Sequence, residues 1–394
     1  MRRISAEYIF TGKTVLKRGI IEIDETGKII SVTDTGGKIA EQASLEFYNG
    51  VIVPGFINAH CHLELSHMKG MIENTLGRGL PGFIDEIISK RNFPEDLPEQ
   101  IDRADKEMKK KGIVAVGDIS NTDDSFPVKE KSKIYYHTFV EAFTISDEAV
   151  DETFKTAENN FSKLKERKLP ASIVPHAAYS VPDRLYKRIA DFENKKPKII
   201  SVHNQETPGE DELIKNKSGT LADVLTNKGF LLDEFSYPGK TALQTNLHYL
   251  NKKDTILLIH NTFSKENDID FAENFSDNIY WVFCPISNLY IEKMLPNIPL
   301  FFQKGVKTCI GTDSYASNTE LSVLSELKVI IEKYPEIPFE KLIEAATING
   351  AKALKINDKY GSIEIGKTPG LNLISAFDFK KMTLKSDSKI KVLA

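Results

Sequence analysis

The middle of the chain alternates short apolar runs with amphipathic or charged stretches of helical pattern, such as DRLYKRIADFEN. Alternating β and α segments with nearly continuous apolar strands favour a parallel sheet. Eight such units over about 300 residues predict an α/β fold, a (β/α)8 barrel of the TIM type. The eight runs are FINAHCHLE (56–64), GIVAVGDIS (112–120), KIYYHTFVEAF (133–143), ASIVPHAAYS (171–180), IISVHNQET (199–207), TILLIHNTF (255–263), YWVFCPISN (280–288) and KTCIGTDS (307–314).

An open, doubly wound sheet is the alternative to the barrel. That fold would need a glycine-rich phosphate loop after its first strand, and HCHLELS is not such a loop.

The two ends of the chain carry a different pattern, of short strands separated by turns. AEYIFTG, VLKRGIIEID and KIISVTD stand near the beginning, and GSIEIGKTPGLNLISAFD and SKIKVLA stand near the end. Neither end holds enough strands to be stable alone. We therefore predict that residues 1–53 and 357–394 pair into one small composite β-sandwich domain, and that residues 54–356 form the barrel.

Composition argues against several classes of protein. The chain has 52 basic and 56 acidic residues, a net charge of −4, which does not suggest a nucleic-acid or membrane partner. No apolar run approaches the roughly 20 residues that span a bilayer, and no signal peptide is evident. The three cysteines stand far apart and form no CxxC pair, so we interpret them as reduced thiols of a cytoplasmic protein. The sequence leaves the oligomeric state open between a monomer and a homodimer.

Polar side chains cluster at the carboxyl ends of the predicted strands. They include five of the eight histidines. In a barrel these ends form one mouth, where the active sites of this fold are found. A single histidine at a strand end is usually structural, but a whole set of them at one mouth has few structural explanations. The set is His60, His62, His176, His203, Glu206, His260 and Asp313. We interpret the three remaining histidines, His67, His137 and His248, as structural.

The stretch HCHLE predicts a metal chelate. On an extended strand alternate side chains share a face, so His60, His62 and Glu64 would point the same way. Three imidazoles and one carboxylate suit a single divalent ion, zinc or else iron, with a position left open for water. Such an ion lowers the pKa of bound water to roughly 7. Glu64 is either a third polar group of the site or a partner that orients an imidazole.

Three further residues are candidates for catalysis beside the ion. Asp313 could accept a proton from the water. Glu206 could protonate a ring nitrogen of the substrate and later the leaving group, while His260 could hold or polarise the water.

These motifs resemble the amidohydrolase superfamily, in particular its group of adenosine, S-adenosylhomocysteine and methylthioadenosine deaminases and chlorohydrolases. The resemblance covers nearly the whole chain and rests on VIVPGFINAHCH, PHAAYS, SVHNQET, LIHNT, CPISNLYI, GTDSYASN and GSIEIGKTPGLNLI. It implies His60, His62, His203 and Asp313 as metal ligands, His176 as a substrate-binding residue and Glu206 as a proton shuttle. It also implies one metal rather than two, because ASIVPHAAYS has no lysine at its strand end.

Departures from the group bear on the substrate. HCHLELSHMKG stands where the group has HTHxxMxxLRG, and its H-x-H-x-E-L-S pattern is closer to aminofutalosine deaminases, so Glu64 becomes a candidate for substrate binding. The segment KGMIENTLGRGLPGFIDEI (69–87) is a candidate lid, with Arg78 and Phe83 as candidate substrate contacts, or else a plain surface loop.

The resemblance thus implies a hydrolytic deaminase that releases ammonia from an amino-substituted purine, most simply an adenine-bearing nucleoside. One alternative keeps the site and changes the ring or the leaving group: guanine or cytosine deamination, triazine dechlorination or cyclic amide opening. A second alternative, an inactive scaffold, would be expected to have lost ligands, and here the expected set is intact.

Overall fold

The computed structural model describes residues 1–39, 44–72 and 77–394. Its strands, in chain order, are β1 (Arg2–Phe10), β2 (Val15–Lys17), β3 (Ile20–Ile23), β4 (Ile29–Thr33), β5 (Leu45–Pro54), β6 (Phe56–Cys61), β7 (Ile113–Ser120), β8 (Tyr135–Ala142), β9 (Ala171–Pro175), β10 (Ile199–Asn204), β11 (Thr255–His260), β12 (Ile279–Phe283), β13 (Thr308–Ile310), β14 (Leu371–Asp378) and β15 (Thr383–Val392).

The helices are α1 (Gly79–Lys90), α2 (Leu97–Lys110), α3 (Phe126–Lys131), α4 (Val150–Glu166), α5 (Asp183–Asp191), α6 (Pro208–Asn216), α7 (Thr220–Asn227), α8 (Ala242–Tyr249), α9 (Glu266–Phe275), α10 (Pro285–Ile291), α11 (Ile298–Lys304), α12 (Val323–Lys333), α13 (Phe339–Ala346) and α14 (Ile348–Ala353). Two 3₁₀ segments, Leu63–Met68 and Leu232–Glu234, lie between them. Among the described residues, no helix is both long and apolar enough to cross a bilayer.

Each of the eight predicted apolar runs overlaps one strand, β6 to β13, so the α/β prediction is confirmed. The strands pair in parallel as two four-stranded sheets, β6-β7-β8-β9 and β10-β11-β12-β13. Most of their residues are buried on both faces, which explains the continuous apolar runs.

The two parallel sheets meet at both edges, close to the carboxyl ends of their strands. At one edge, the backbone N–H of His203 donates to the carbonyl of His176 at 2.8 Å. At the other edge, the N–H groups of Thr312 and Asp313 donate to the carbonyl of His60 at 3.0 and 3.1 Å. At the first edge Pro175, the last residue of β9, has no N–H to donate. Closure of all eight strands into one continuous barrel stays a prediction.

A third sheet combines both ends of the chain. Its order is β15-β14-β5-β1-β3-β4, with β2 paired to β1, so that β5 lies between the N-terminal β1 and the C-terminal β14. Phe10 and Phe377 of this sheet pack on Phe339 of α13, at ring-centroid distances of 5.2 and 4.9 Å. The predicted pairing of the two ends is thus present. A separate β-sandwich domain bounded by residues 1–53 and 357–394 stays a prediction.

Candidate active site

Five potential ligands converge where the two parallel sheets meet. Nε2 of His60 lies 3.2 Å from Nε2 of His62, and Oδ1 of Asp313 lies 3.6 and 3.5 Å from these two nitrogens. The ring of His203 lies 5.0 Å from that of His60 and 5.5 Å from that of His260, measured between centroids. The structure therefore brings together His60, His62, His203, His260 and Asp313, from four strand ends that are far apart in sequence.

His62 reaches this cluster from a turn rather than from a strand. Strand β6 ends at Cys61, and His62 directly precedes the 3₁₀ segment Leu63–Met68. The carboxylate of Asp118 accepts the backbone N–H of Leu63 at 2.8 Å and so fixes the turn. The prediction of an extended strand through Glu64 is therefore wrong, because the strand ends at Cys61 and the 3₁₀ segment begins at Leu63.

Glu64 consequently faces away from the two imidazoles. It is 2% exposed, and its Oε1 accepts a hydrogen bond from Nη2 of Arg91 at 2.8 Å. Its Oε2 accepts the N–H groups of Asn121 and Thr122 at 2.9 and 3.0 Å and the Thr122 hydroxyl at 3.1 Å. Burial raises the pKa of Glu64, against the opposing charge of Arg91.

Two oxygen atoms lie beside His203 on the side away from the cluster. Its Nδ1 lies 3.1 Å from the carbonyl oxygen of His176 and 3.3 Å from Oε1 of Glu141. Because a carbonyl can only accept, Nδ1 carries a hydrogen, and Nε2 becomes a free ligand atom once the imidazole has released its second proton. Burial lowers the pKa of His203, but Glu141 outweighs burial and raises it to about 9.

Sequence reasoning missed Glu141. It lies near the carboxyl end of the apolar run KIYYHTFVEAF, in the same relative position as the other polar residues of the site. This position at a strand end could have identified Glu141 as a candidate site residue from the sequence. Asn121 donates to its Oε2 at 3.0 Å, and the charges of His176 and His203 hold the pKa of Glu141 well below its usual range despite burial.

The two oxygens of Asp313 have different partners. The hydroxyls of Ser287 and Ser317 donate to Oδ2 at 2.7 and 2.6 Å, which leaves Oδ1 facing His60 and His62. Burial raises the pKa of Asp313, but the hydrogen bond with His60 and the electrostatic interactions with the imidazoles of His62 and His260 outweigh burial and hold it well below its usual range. Asp313 is therefore an ionised carboxylate.

The neighbouring imidazoles are neutral. Burial lowers the pKa of His60 and brings that of His62 to about 3. Burial also takes the pKa of His260 well below its usual value. Neutral imidazoles keep the lone pairs that a metal ion requires.

Glu206 is held beside His260 by a rigid turn. Its Oε1 lies 3.6 Å from Nε2 of His260. The buried carboxylate of Glu210 accepts the backbone N–H groups of Gln205 and Glu206 at 3.1 and 2.6 Å. Gln205, His260 and Asp313 all have positive φ, at 46°, 71° and 56°. Such backbone conformations cost about 1–3 kcal/mol each for residues other than glycine and concentrate at functional sites.

A cavity of about 370 Å³ opens above the cluster. His62, His203, His260, Asp313, Glu206, Glu141 and His176 line its polar end. Phe83 of α1 lies on its wall. Residues 73–76 of the predicted lid segment 69–87 lie outside the described residues. Neither Glu64 nor Arg78 lies on the described cavity wall, and Nη1 of Arg78 lies 3.4 Å from Asp85 instead.

The cluster has the donor chemistry of a metal site. Ligand atoms of His60, His62 and His203, and likewise those of His60, His260 and Asp313, lie within 4.8 Å of one another. Nδ1 of His60 is buried without a hydrogen-bond partner among the described residues. The Nε2 atoms of His60 and His62 face each other, and a cation between them would bind the lone pairs of both. Imidazole nitrogens with one carboxylate match the ligands of zinc in proteins.

Glu141, His176 and His203 also have ligand atoms within 4.8 Å of one another. The orientation of His203 argues against a second ion there, since its Nδ1 hydrogen already points to the carbonyl of His176.

Comparison with known proteins identifies relatives over nearly the whole chain. The model of the amidohydrolase family matches residues 51–392. An adenosine deaminase of Helicobacter pylori is 27% identical over 88% of this chain and 83% of its own. An aminodeoxyfutalosine deaminase of Nitratiruptor sp. is 27% identical over 95% of this chain and 91% of its own. The crystal structure of Helicobacter pylori aminofutalosine deaminase with methylthio-coformycin superimposes with a TM-score of 0.78 at 24% identity, covering 97% of this chain and 94% of that one. This likeness shows a shared fold.

Proposed function

The chain belongs to the amidohydrolase family, and we propose that it is a metal-dependent deaminase that hydrolyses the exocyclic amino group of an adenine-type nucleoside. The observation that carries the proposal is the position of Glu206, a buried acid on the cavity wall 3.6 Å from His260 and next to the metal-type cluster. The deaminase names of the relatives agree with it.

We assign the metal site to His60, His62, His203 and Asp313. Zinc suits these donors better than iron, and when bound it would supply Lewis acidity and an activated water. The same assignment treats the two parallel sheets as halves of one TIM-type barrel, whose active sites lie at the carboxyl ends of the strands.

Glu206 is the general acid of the proposed reaction. Burial raises its pKa well above the usual range, so the carboxyl group keeps its proton near neutral pH. That proton passes to a ring nitrogen of the purine as the water oxygen adds to the amine-bearing carbon. The carbon–nitrogen bond then breaks, and the amino group leaves as ammonia with the proton that Asp313 accepted from the water. The hydroxyl of the adduct passes its proton to Glu206, which leaves the oxo purine and restores both carboxyl groups.

The remaining residues position the reactants. Asp313, held ionised, accepts the proton of the water, and neutral His260 holds that water through its imidazole. His176 and Phe83 both line the cavity. In the proposed complex His176 contacts the base, and Phe83 packs against the base. Glu64 is not on the described cavity wall. In this proposal it acts indirectly, by holding Arg91 and Asn121 in position through hydrogen bonds. A cytoplasmic location and a homodimer stay predictions.

The test is ammonia release by the zinc-loaded protein from a panel of adenosine, methylthioadenosine, S-adenosylhomocysteine, aminofutalosine, guanine, cytosine and an aminotriazine. We expect ammonia from one or more of the adenine nucleosides. Glu206→Gln should keep its zinc and lose at least about 100-fold in kcat, since a positioned acid contributes about 10²–10⁴. Glu212→Gln, an exposed carboxylate on the next helix, is the matched control.

Two results would contradict the proposal. Near-normal turnover by Glu206→Gln would show that Glu206 is not the general acid. Release of ammonia from guanine, cytosine or the triazine alone would show that the substrate carries a different ring. Whichever ring is the substrate, His203→Ala should lose zinc.

A further inference from the structure

Glu326, in the first turn of α12, is a fully buried acid. Within the described part of the chain, no cation pairs with it, and its hydrogen bonds come from the N–H groups of Ile286 and Asn318. Burial raises the pKa of Glu326 well above its usual range, against these two donors. An acid without a cation is costly to bury. Its contacts therefore show what it holds in place.

The two oxygens of Glu326 bind two separate segments of the chain. Oε2 accepts the backbone N–H of Ile286, in the first turn of α10, at 2.8 Å. Oε1 accepts a hydrogen bond from Nδ2 of Asn318, in the loop before α12, at 2.9 Å. Nδ2 of Asn318 also donates to the carbonyl of Thr312 at 2.9 Å. One buried side chain thus ties α10 to the loop that follows β13.

Both of these donors are next in sequence to a serine. Ser287 follows Ile286, and Ser317 precedes Asn318. The hydroxyls of the two serines donate to the same oxygen, Oδ2 of Asp313, at 2.7 and 2.6 Å. The buried acid of α12 therefore holds the two segments whose serines bind Asp313.

Two hydroxyls on one oxygen fix the rotation of the Asp313 carboxylate. With Oδ2 held by Ser287 and Ser317, Oδ1 is the oxygen that faces His60 and His62. Hydrogen bonds to a ligating carboxylate orient it toward its metal. A displacement of either serine would free Oδ2 and let Oδ1 rotate away from the two imidazoles.

We propose that Glu326 is a positioning residue, which holds Ser287 and Ser317 against Asp313 and so keeps Oδ1 directed at the proposed metal. Its hydrogen bonds go to the two serine-bearing segments rather than to Asp313 itself. Its effect on the metal therefore passes through the two serine hydroxyls. This inference rests on the proposed function, in which Asp313 is a zinc ligand.

The test is a mutant cycle on zinc affinity. Glu326→Gln keeps one acceptor oxygen but turns an NH₂ group toward the other N–H donor, so one of the two contacts is lost. Ser287→Ala/Ser317→Ala removes both hydroxyls and leaves Glu326 intact, and a triple variant combines the changes. Glu332→Gln, an exposed carboxylate on the same helix, is the matched control. Competition with a coloured chelator measures the zinc dissociation constants, and urea unfolding of the metal-free proteins measures stability separately.

We expect Glu326→Gln to weaken zinc binding about tenfold, at the lower end of the effects seen for groups that orient metal ligands. Ser287→Ala/Ser317→Ala should weaken it at least as much. In this serine-free background Glu326→Gln should have no further effect on zinc affinity, because the hydroxyls through which it acts are gone. Glu332→Gln should leave the affinity unchanged.

A spectroscopic measurement separates positioning from a loss of stability. Cobalt(II) bound in place of zinc has visible absorption bands that depend on the geometry of its ligands. At cobalt saturation, Glu326→Gln and Ser287→Ala/Ser317→Ala should change these bands in the same way, and Glu332→Gln should match the wild type. If Glu326→Gln does not fold, Asn318→Ala takes its place in the cycle, because it removes one of the two contacts without adding a polar group.

The proposal would be overturned by unchanged zinc affinity in Glu326→Gln, by an equal loss of affinity with and without the serines, or by an unaltered cobalt spectrum. The cycle uses no substrate, so it is independent of the deaminase test. Loss of zinc affinity only in the presence of the serines, without ammonia from any nucleoside, would support the positioning role and contradict the deaminase. Ammonia release together with equal losses in both backgrounds would do the reverse. No zinc binding by the wild type would contradict both.

Discussion

Oε1 of Glu141 lies 3.3 Å from Nδ1 of His203, on the side of the imidazole opposite the metal-type cluster. A carboxylate in this position fixes the orientation of a ligating histidine and raises its basicity. We therefore expect Glu141 to position the proposed zinc ligand.

Replacement of Glu141 by glutamine should weaken zinc binding about 10- to 100-fold, as for other partners of ligating histidines. Competition with a coloured chelator measures the affinity directly, without reference to turnover. Glu148→Gln, an exposed carboxylate on the loop after β8, is the control. Unchanged affinity in Glu141→Gln would mean that the carbonyl of His176 alone orients His203.

Zinc should stabilise the folded protein, because the ligands of the cluster come together only after folding. At a free zinc concentration 100 times the dissociation constant, linkage predicts about 2.7 kcal/mol. Thermal unfolding with zinc and with a chelator would show the difference as a shift in Tm. His203→Ala should abolish the shift, whereas His248→Ala, an exposed histidine of α8, should retain it. If His203→Ala kept the full zinc-induced shift in Tm, His203 would not be a zinc ligand.

The buried pair of Lys129 and Asp118 should matter for stability, since both side chains have no exposed surface and lie 2.6 Å apart. Lys129→Met leaves Asp118 buried without its cation and should cost about 3–5 kcal/mol. The double variant Asp118→Asn/Lys129→Met should recover much of this loss, because the amide oxygen still accepts the N–H of Leu63. Urea unfolding measures both values, and equal stability of the two variants would show that the pairing itself matters little.

Glu210 should make stability depend on pH. Burial raises its pKa to about 7, against the backbone N–H groups that favour its ionised form. In the folded protein Glu210 therefore keeps a proton that the unfolded chain has released, so the free energy of unfolding should fall as pH rises from about 5 to 8.

The raised pKa of Glu210 corresponds to at most about 3 kcal/mol across this range. Glu210→Gln should flatten the pH profile by part of that amount, whereas Glu212→Gln, exposed on the same helix, should not. Denaturant titrations at several pH values give the comparison, and identical profiles for wild type and Glu210→Gln would contradict the assignment.

Most of the candidate site could be read from the sequence because of how parallel strands are arranged. His60, His203, His260 and Asp313 each stand at or just after the end of an apolar run, and parallel pairing brings these ends together. The eight strands were predictable for a related reason. Burial on both faces leaves an apolar run that is visible without any partner strand.

The sequence by itself thus determined which apolar runs form strands and that the two ends of the chain share a sheet. Only the tertiary structure decided where their side chains point. Glu64 shares the alternation of His60 and His62, but the strand stops at Cys61, and the bend turns Glu64 toward Arg91. Glu141 reads as one polar residue in an apolar strand until β8 lies beside His203. Such pairs depend on packing between residues distant in sequence, which local pattern does not encode.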